Sequence, residues 1–187
     1  MLASPDDAGT IFARKRFGGN EFSLIGLSNV WAAGAPFDFM QAAAFHDHLC
    51  PGVTSGYMIT RYVEKVLPVT NRTAETYVDI GSPNWCKEDA FQMIWDATPG
   101  KNSMVVMALS PEDEAALKEK YGTRPAGIII RWNDAAQRGT GVALGFDFDK
   151  VSEELGLVNF TGPSWAPKLV QDIGMLPYLE HPESVIT

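Results

Sequence analysis

The sequence predicts an α+β fold in which helices pack on a mixed or antiparallel sheet. Three observations favour this class: helical patterns dominate the first part of the chain, several short strands then follow one another, and few crossover helices separate those strands. A chain of 187 residues, 45% of them apolar, can bury one good core. We therefore expect one domain with additional segments at its two ends.

The first elements are expected to be helices, with one exception. A short helix is predicted over residues 8–16, and loosely alternating β-forming residues predict a strand or an extended arm over residues 21–31. Good helix formers with apolar residues on one face predict a helix over residues 37–48. A helix that begins at a proline follows over residues 51–67.

Two glycines mark the helix predicted over residues 51–67. Gly52 and Gly56 are one helical turn apart, so they lie on the same side of the helix. Glycine lowers helix propensity, and a pair at this spacing therefore needs a compensating reason. We expect another backbone or a ligand to approach the helix closely at these positions.

The remainder of the chain mixes strands and helices that are bounded by glycine and proline residues. Strands are predicted over residues 76–80, 104–109, 125–132 and 139–147, and helices over residues 87–98, 111–121, 151–155 and 167–175. Cys86 therefore falls between a strand and the helix that follows it.

Charge and hydropathy exclude several classes of partner. The chain has 15 basic and 23 acidic residues, giving a net charge of −8, and its longest basic run is residues 14–16. Nucleic acid is not expected as a partner, because its binding requires a basic surface. Apolar runs are well short of the roughly 20 residues that span a bilayer, so no membrane span is expected. A cytoplasmic location is predicted, with export after removal of a leader as the alternative.

Nitrogen and sulfur donors gather in one short segment. The chain has three histidines and two cysteines, and His46, His48 and Cys50 fall within five consecutive residues. Imidazole and thiolate are ligands that zinc and similar transition metals prefer. The H-x-H-x-C pattern therefore predicts a metal site, with Cys86 as a candidate fourth ligand. The alternative is a set of satisfied polar groups in a turn between helices.

Local geometry decides whether these donors converge. In an extended or irregular segment the residues at i, i+2 and i+4 can face one point, whereas a continuous helix brings only His46 and Cys50 together. Pro51 favours a helix that begins directly after Cys50, where the helix dipole is expected to lower the thiol pKa. A disulfide between Cys50 and Cys86 is the alternative in an oxidising compartment.

Five further residues are candidates for the site. Asp47 and Asp89 can exchange protons or accept a hydrogen bond from a ligand histidine. Tyr57 can supply a hydroxyl, Trp85 can form a flat wall for a planar ligand, and Lys101 can bind an anionic ligand. The alternatives are a helix-dipole role for Asp89, core packing for Tyr57 and an ordinary loop position for Lys101.

Two motifs resemble those of a known protein family. Residues 46–52, HDHLCPG, followed by Gly56 and Tyr57, are similar to the H-G-H-L-C-P-G...G signature of the FmdE family, which is named after a component of formylmethanofuran dehydrogenase. Residues 86–92, CKEDAFQ, with residues 98–102, TPGKN, resemble the second signature of that family, C-x-x-D-A-I-Q followed by a T-x-G-K-G-N-like turn. Two ordered motifs are more specific than either one alone. The resemblance covers about residues 38–147.

The resemblance implies an α+β core that is commonly dimeric and that holds a metal ion, with zinc as the expected metal. Carried over position by position, His48, Cys50 and Cys86 are the implied ligands. His46 and Asp89 are implied to lie at or beside the site.

The chain departs from the family pattern in two ways. Asp47 stands where the signature has glycine, and no cysteine follows Asp147, so the small C-terminal zinc finger of many members is not expected. We expect three regions: an N-terminal arm (residues 1–37), an FmdE-like metal-binding core (residues 38–147) and a C-terminal helical extension of the same domain (residues 148–187).

Three hypotheses for the function remain, because the family name does not by itself establish a reaction. In the first, a zinc site performs or assists chemistry on a small-molecule ligand or substrate, and the protein is a metal-dependent enzyme. In the second, the protein is a non-catalytic module that binds or delivers a metal or a metal-tetrapyrrole such as haem, with Trp85 in the wall of the site. In the third, it is a structural accessory component, for example of an oxidoreductase.

Overall fold

The computed structural model describes residue 10 and residues 13–18, 20–67, 76–81, 85–122, 125–159, 161 and 166–187. Within them the helices are α1 (Glu21–Ala32), α2 (Phe37–Phe45), α3 (Pro51–Val66), α4 (Cys86–Trp95), α5 (Pro111–Tyr121), α6 (Phe148–Glu154) and α7 (Ala166–Gly174). The strands are β1 (Thr76–Gly81), β2 (Met104–Ala108), β3 (Pro125–Asn133) and β4 (Arg138–Gly145). Short 3₁₀ helices span Pro99–Lys101, Leu176–Leu179 and Pro182–Ser184.

The four strands form one mixed sheet in the order β2-β1-β3-β4. β1 and β2 are parallel, as two strands joined through a helix can be, and α4 lies between them in the chain. β3 pairs antiparallel with both β1 and β4. With seven helices beside this sheet in the described residues, the predicted α+β class is confirmed.

Helix α4 packs on one face of the sheet. Tyr77 of β1 stacks on Trp95 of α4 with ring centroids 4.6 Å apart, and Trp95 also stacks on Phe91 at 4.9 Å. Ile129 of β3 is fully buried on the same face of the sheet. Helices α2 and α3 pack in turn against α4. The start of α4 is therefore held between the sheet and these two helices.

The glycines of α3 allow it to contact α4 without intervening side chains. A Cβ atom at Gly56 would lie 2.6 Å from Lys87 Cα, and one at Gly52 would lie 2.7 Å from Cys86 Cβ. Such distances are too short for any larger residue, so the expected close approach of another backbone is confirmed. This contact fixes the start of α4 beside the start of α3.

The strand predicted over residues 21–31 is wrong, because this segment is helix α1. Its buried residues include Ile25, Gly26, Asn29 and Val30, a spacing that repeats every three to four residues as on a helix. Packing against α2 and α7 thus outweighs the β propensity of the side chains. Of the helix predicted over residues 8–16, Thr10, Ala13 and Arg14 are helical, and residues 8, 9, 11 and 12 lie outside the described part of the chain.

The C-terminal residues pack on the sheet and do not extend into solvent. Phe146 forms an antiparallel bridge with Ile186, and the backbone N–H of Gly145 donates to the Thr187 carbonyl at 2.8 Å. Val185 and Ile186 are buried. The segment after β4 therefore returns to the edge of the core through α6 and α7.

The helices are short relative to a bilayer. The longest one in the described residues, α3, has 16 residues. Within those residues, none of the helices combines the length and the apolar character that a membrane crossing requires.

Candidate metal centre

The loop between α2 and α3 carries the clustered donors. The helix predicted to reach residue 48 ends at Phe45, because Asp47 adopts a left-handed backbone conformation with φ of 72°. Glycine favours this region and aspartate tolerates it, so aspartate can occupy this position of the turn. The Ser23 hydroxyl donates a hydrogen bond to the Asp47 carbonyl, so α1 supports the turn.

The turn brings three potential ligands together. The ligand atoms of His46, His48 and Cys50 all lie within 4.8 Å of one another, and the two imidazole rings have centroids 4.8 Å apart. Ligand atoms around a tetrahedral zinc ion are roughly 3.3–3.8 Å apart, given bonds of about 2.1 Å to nitrogen and 2.3 Å to sulfur. Small side-chain rotations would close the difference. The loop thus follows the irregular geometry in which i, i+2 and i+4 face one point.

One ring nitrogen of His46 forms a hydrogen bond with Asp89, and the other is available to bind a metal ion. Its Nδ1 lies 2.6 Å from Asp89 Oδ2, so Nδ1 donates to the carboxylate, and in the neutral ring Nε2 then carries the lone pair. Gln92 donates to the other oxygen of Asp89 at 3.2 Å. His46 Nε2 is buried and has no hydrogen-bond partner among the described residues. A buried lone pair with this support is what a metal-ligating histidine requires.

The surroundings of His48 favour its neutral form. Burial lowers the pKa of His48, and nearby positive charge, including that of Lys168, lowers it further. Its ring also lies near Phe22 of α1, with centroids 6.2 Å apart. Neutral imidazole is the form that binds metal ions.

Cys50 caps the N-terminus of α3 in an extended conformation, and its thiol is buried. Burial raises the pKa of Cys50 to about 12, although the backbone N–H groups of Val53 and Gly52 favour the thiolate. The lower pKa expected from the helix dipole is therefore wrong, since desolvation outweighs it. A bound cation would supply the missing stabilisation and deprotonate the thiol.

Cys86 is the first residue of α4 and lies beside Cys50. A Cβ atom at Gly52 would lie 3.2 Å from Cys86 Sγ and 3.5 Å from Cys50 Sγ, so both sulfur atoms border the same small space. The two side chains share a hydrogen bond, and no disulfide joins them. Cys86 is thus adjacent to the cluster of three donors but is not part of it.

The other predicted site residues lie in different surroundings. Tyr57 is buried and donates to Asp38 Oδ1 at 2.9 Å. Trp85 is 40% exposed, with Lys87 Nζ 5.2 Å from its ring centroid. Lys101 is exposed and forms an ion pair with Asp96. These three predicted residues do not line the cavity beside the centre.

A cavity of about 620 Å³ opens beside the centre. Its size falls within the range of small-molecule binding sites. The residues that line it are His48, Cys50, Pro51, Gly52, Cys86, Lys118, Gly122, Phe146, Asp147, Phe148, Asp149 and Lys168. Sequence reasoning missed the lysines and phenylalanines of this wall, because their proximity to the donors arises only from the tertiary fold.

Comparison with known proteins gives one family. The family model described as FmdE, Molybdenum formylmethanofuran dehydrogenase operon, matches residues 45–158. The matched region includes all the donors of the centre and the sheet, and it leaves α1, α7 and nearly all of α2 outside. No curated protein matches the chain.

Proposed function

Because the chain belongs to the FmdE family, we propose that it is a zinc-binding protein whose His/Cys site acts on or binds a small molecule. The observation that carries this proposal is the buried and unpartnered Nε2 of His46, whose ring is fixed by Asp89 through Nδ1. An unsatisfied buried nitrogen is costly unless something binds it. A metal ion would satisfy it together with His48 and Cys50.

The residues present fit a zinc ion. His46, His48 and Cys50 supply two nitrogen atoms and one sulfur atom, a set common in zinc sites. Cys86 is close enough to Cys50 to serve as a fourth ligand. If Cys86 does not bind the ion, zinc has three protein ligands and one open position. At that position it would lower the pKa of a bound water molecule or polarise a carbonyl group.

The chain itself contributes orientation and proton exchange. Asp89 fixes the tautomer and the ring orientation of His46, and 30% of its side chain is exposed to solvent. We propose that Asp89 passes protons between the site and water, with the exposed Asp47 as the alternative group. In either case the carboxylate lies outside the set of metal ligands.

We also propose that the protein is located in the cytoplasm, where thiols stay reduced.

We further propose that the protein is a homodimer. One face of the sheet, here called the outer face, lies opposite to α4 and is apolar. Val105 and Met107 of β2 are 43% and 51% exposed on this face. The strand register places their neighbours Val78, Ile80, Ile128 and Ile130, all half-buried, on the same face. A second copy of the sheet can bury these side chains.

Metal analysis tests the site directly. We expect purified protein to contain about one zinc ion per chain and to have no visible colour, because zinc has no redox or d-electron transitions. His48→Ala and Cys50→Ala should each lose the metal while circular dichroism still shows a folded chain. His181→Ala is the matched control, since this exposed histidine should not affect metal content.

Other results would redirect the proposal. A Soret band in the purified protein would favour haem or another metal-tetrapyrrole in place of zinc. Loss of the fold together with the metal in both variants would favour a purely structural site, as in an accessory component of a larger enzyme. Full metal content in His48→Ala and Cys50→Ala would refute the site altogether.

A further inference from the structure

We propose that the cavity beside the metal centre binds a small monocarboxylate with an apolar or aromatic body, held by Lys118 and Lys168. The proposal rests on the proposed function to the extent that His48, Cys50 and Cys86 form one wall of the cavity. It adds the class of ligand, which neither the family match nor the donor residues indicate.

The two lysines that line the cavity differ from several others in the chain in their partners. Lys65, Lys101 and Lys150 each lie within 4 Å of a carboxylate. Lys118 and Lys168 have no ion pair among the described residues, although the chain has 23 acidic side chains. Ammonium groups that line a cavity without a carboxylate partner are suited to binding an anionic ligand.

The lysines approach the cavity from separate elements. Lys118 lies on α5 and Lys168 on α7, yet both line the same cavity as His48. An anion held between the lysines would therefore lie close to the metal ligands.

The acidic residues of the wall limit the charge of the ligand. The Asp147 carboxylate accepts a hydrogen bond from the Lys150 backbone N–H at 2.9 Å and so caps α6. Asp149 is exposed and also lines the cavity. Its fixed negative charge disfavours polyanions such as polyphosphates, and a single carboxylate fits this balance better.

An aromatic pair provides the apolar part of the wall. The Phe146 and Phe148 rings are 4.5 Å apart at an interplanar angle of 43°. Phe146 is buried, and Phe148 is half-buried where it borders the cavity. A flat apolar group can pack on these rings while its carboxylate reaches the lysines.

Benzoate titration of the zinc-loaded 187-residue chain tests this proposal by calorimetry. We expect saturable binding that weakens with added salt. Lys118→Gln and Lys168→Gln should each weaken binding by about three- to fivefold, and the double variant by about tenfold. Lys120→Gln, on the same helix but outside the cavity, is the matched control and should bind as the wild type does. Benzylamine, of similar shape but positive charge, should not bind.

Two results would overturn the proposal: no saturable benzoate binding, or equal affinity for the wild type and the double lysine variant. Metal content and benzoate affinity are measured on the same samples, with and without zinc. Stoichiometric zinc without benzoate binding refutes the anion site alone. Benzoate binding to a chain that takes up no metal refutes the metal centre alone.

Discussion

Asp172 is a buried carboxyl group outside the candidate site. It lies on α7 and is 1% exposed, and neither of its oxygens has a hydrogen-bond partner among the described residues. Burial raises the pKa of Asp172 to about 8, against a partial opposing effect of Lys168. A Cβ atom at Gly26 would lie 3.3 Å from Asp172 Oδ2, so the carboxyl group is enclosed between α7 and α1. The protonated form is the one that suits this position.

Asp172→Asn should stabilise the protein increasingly as pH rises. The folded pKa of about 8 exceeds the ordinary value of 3.8, so the wild type loses stability from this group as pH rises from about 4 to 8. The neutral amide avoids this loss, and its advantage should grow by up to about 1.4 kcal/mol per pH unit in that window. Urea unfolding of both proteins at pH 5, 6.5 and 8 measures this difference in the free energy of unfolding.

The exposed Glu153→Gln is the control for the Asp172 variant and should change stability little at any pH. Parallel pH profiles for the wild type and Asp172→Asn would contradict the enclosed, protonated carboxyl group.

The donor residues of the centre could be predicted from sequence, while part of its wall could not. His46, His48 and Cys50 are rare residue types within one short segment, and that proximity survives any fold. Lys118 and Lys168 are 50 residues apart in sequence and come to line one cavity only in the tertiary structure. The raised pKa of Cys50 could not be predicted from the sequence either. It results from burial, which outweighs the helix dipole and is a property of the tertiary structure.

At the scale of elements, the contact between α3 and α4 positions the two cysteines. It depends on Gly56, which faces the Lys87 backbone. The sequence showed the glycine spacing but not the identity of the neighbouring element. α4 ends at Trp95, three residues before the predicted end, because Asp96 takes a left-handed φ of 55°. Such single-residue conformations have weak sequence signals.

Gly56→Ala should destabilise the protein although alanine favours helices. The added Cβ would meet Lys87 Cα and its carbonyl oxygen at 2.6 Å, and backbone atoms there cannot move aside independently. We expect a loss of about 2–4 kcal/mol in the free energy of unfolding, together with weaker metal binding. Chemical denaturation and zinc titration give the two quantities.

Gly26→Ala is the matched control, because it also lies inside a helix but its Cβ would meet nothing closer than 3.3 Å, at a side chain. Its effect on stability should be much smaller. Equal effects of the two substitutions would mean that helix propensity, and not the contact between α3 and α4, determines the result.

At the scale of the whole molecule, the proposed homodimer makes a prediction about the two faces of β2. Met107→Lys, on the outer face, should convert the dimer to a monomer, because the lysine would be buried at the interface. Val106→Lys is the control: Val106 is similarly exposed, at 42%, but pairs in register with Asp79 on the opposite face. Light scattering after size exclusion measures the mass of each protein.

A monomeric wild type at micromolar concentration would refute the dimer. Dissociation by both substitutions would place the interface at the edge of β2 and not on the outer face.

The close spacing of His46, His48 and Cys50 also affects the denatured ensemble. Because the three donors fall within five residues, an unfolded chain keeps them near one another and retains some affinity for the ion. The ion therefore stabilises the folded state only by the additional affinity that distant segments provide. Asp89 provides a hydrogen bond to His46, which lies 43 residues away in the sequence. Chelation should thus lower the melting temperature less than it would for a site whose ligands come together only in the folded state.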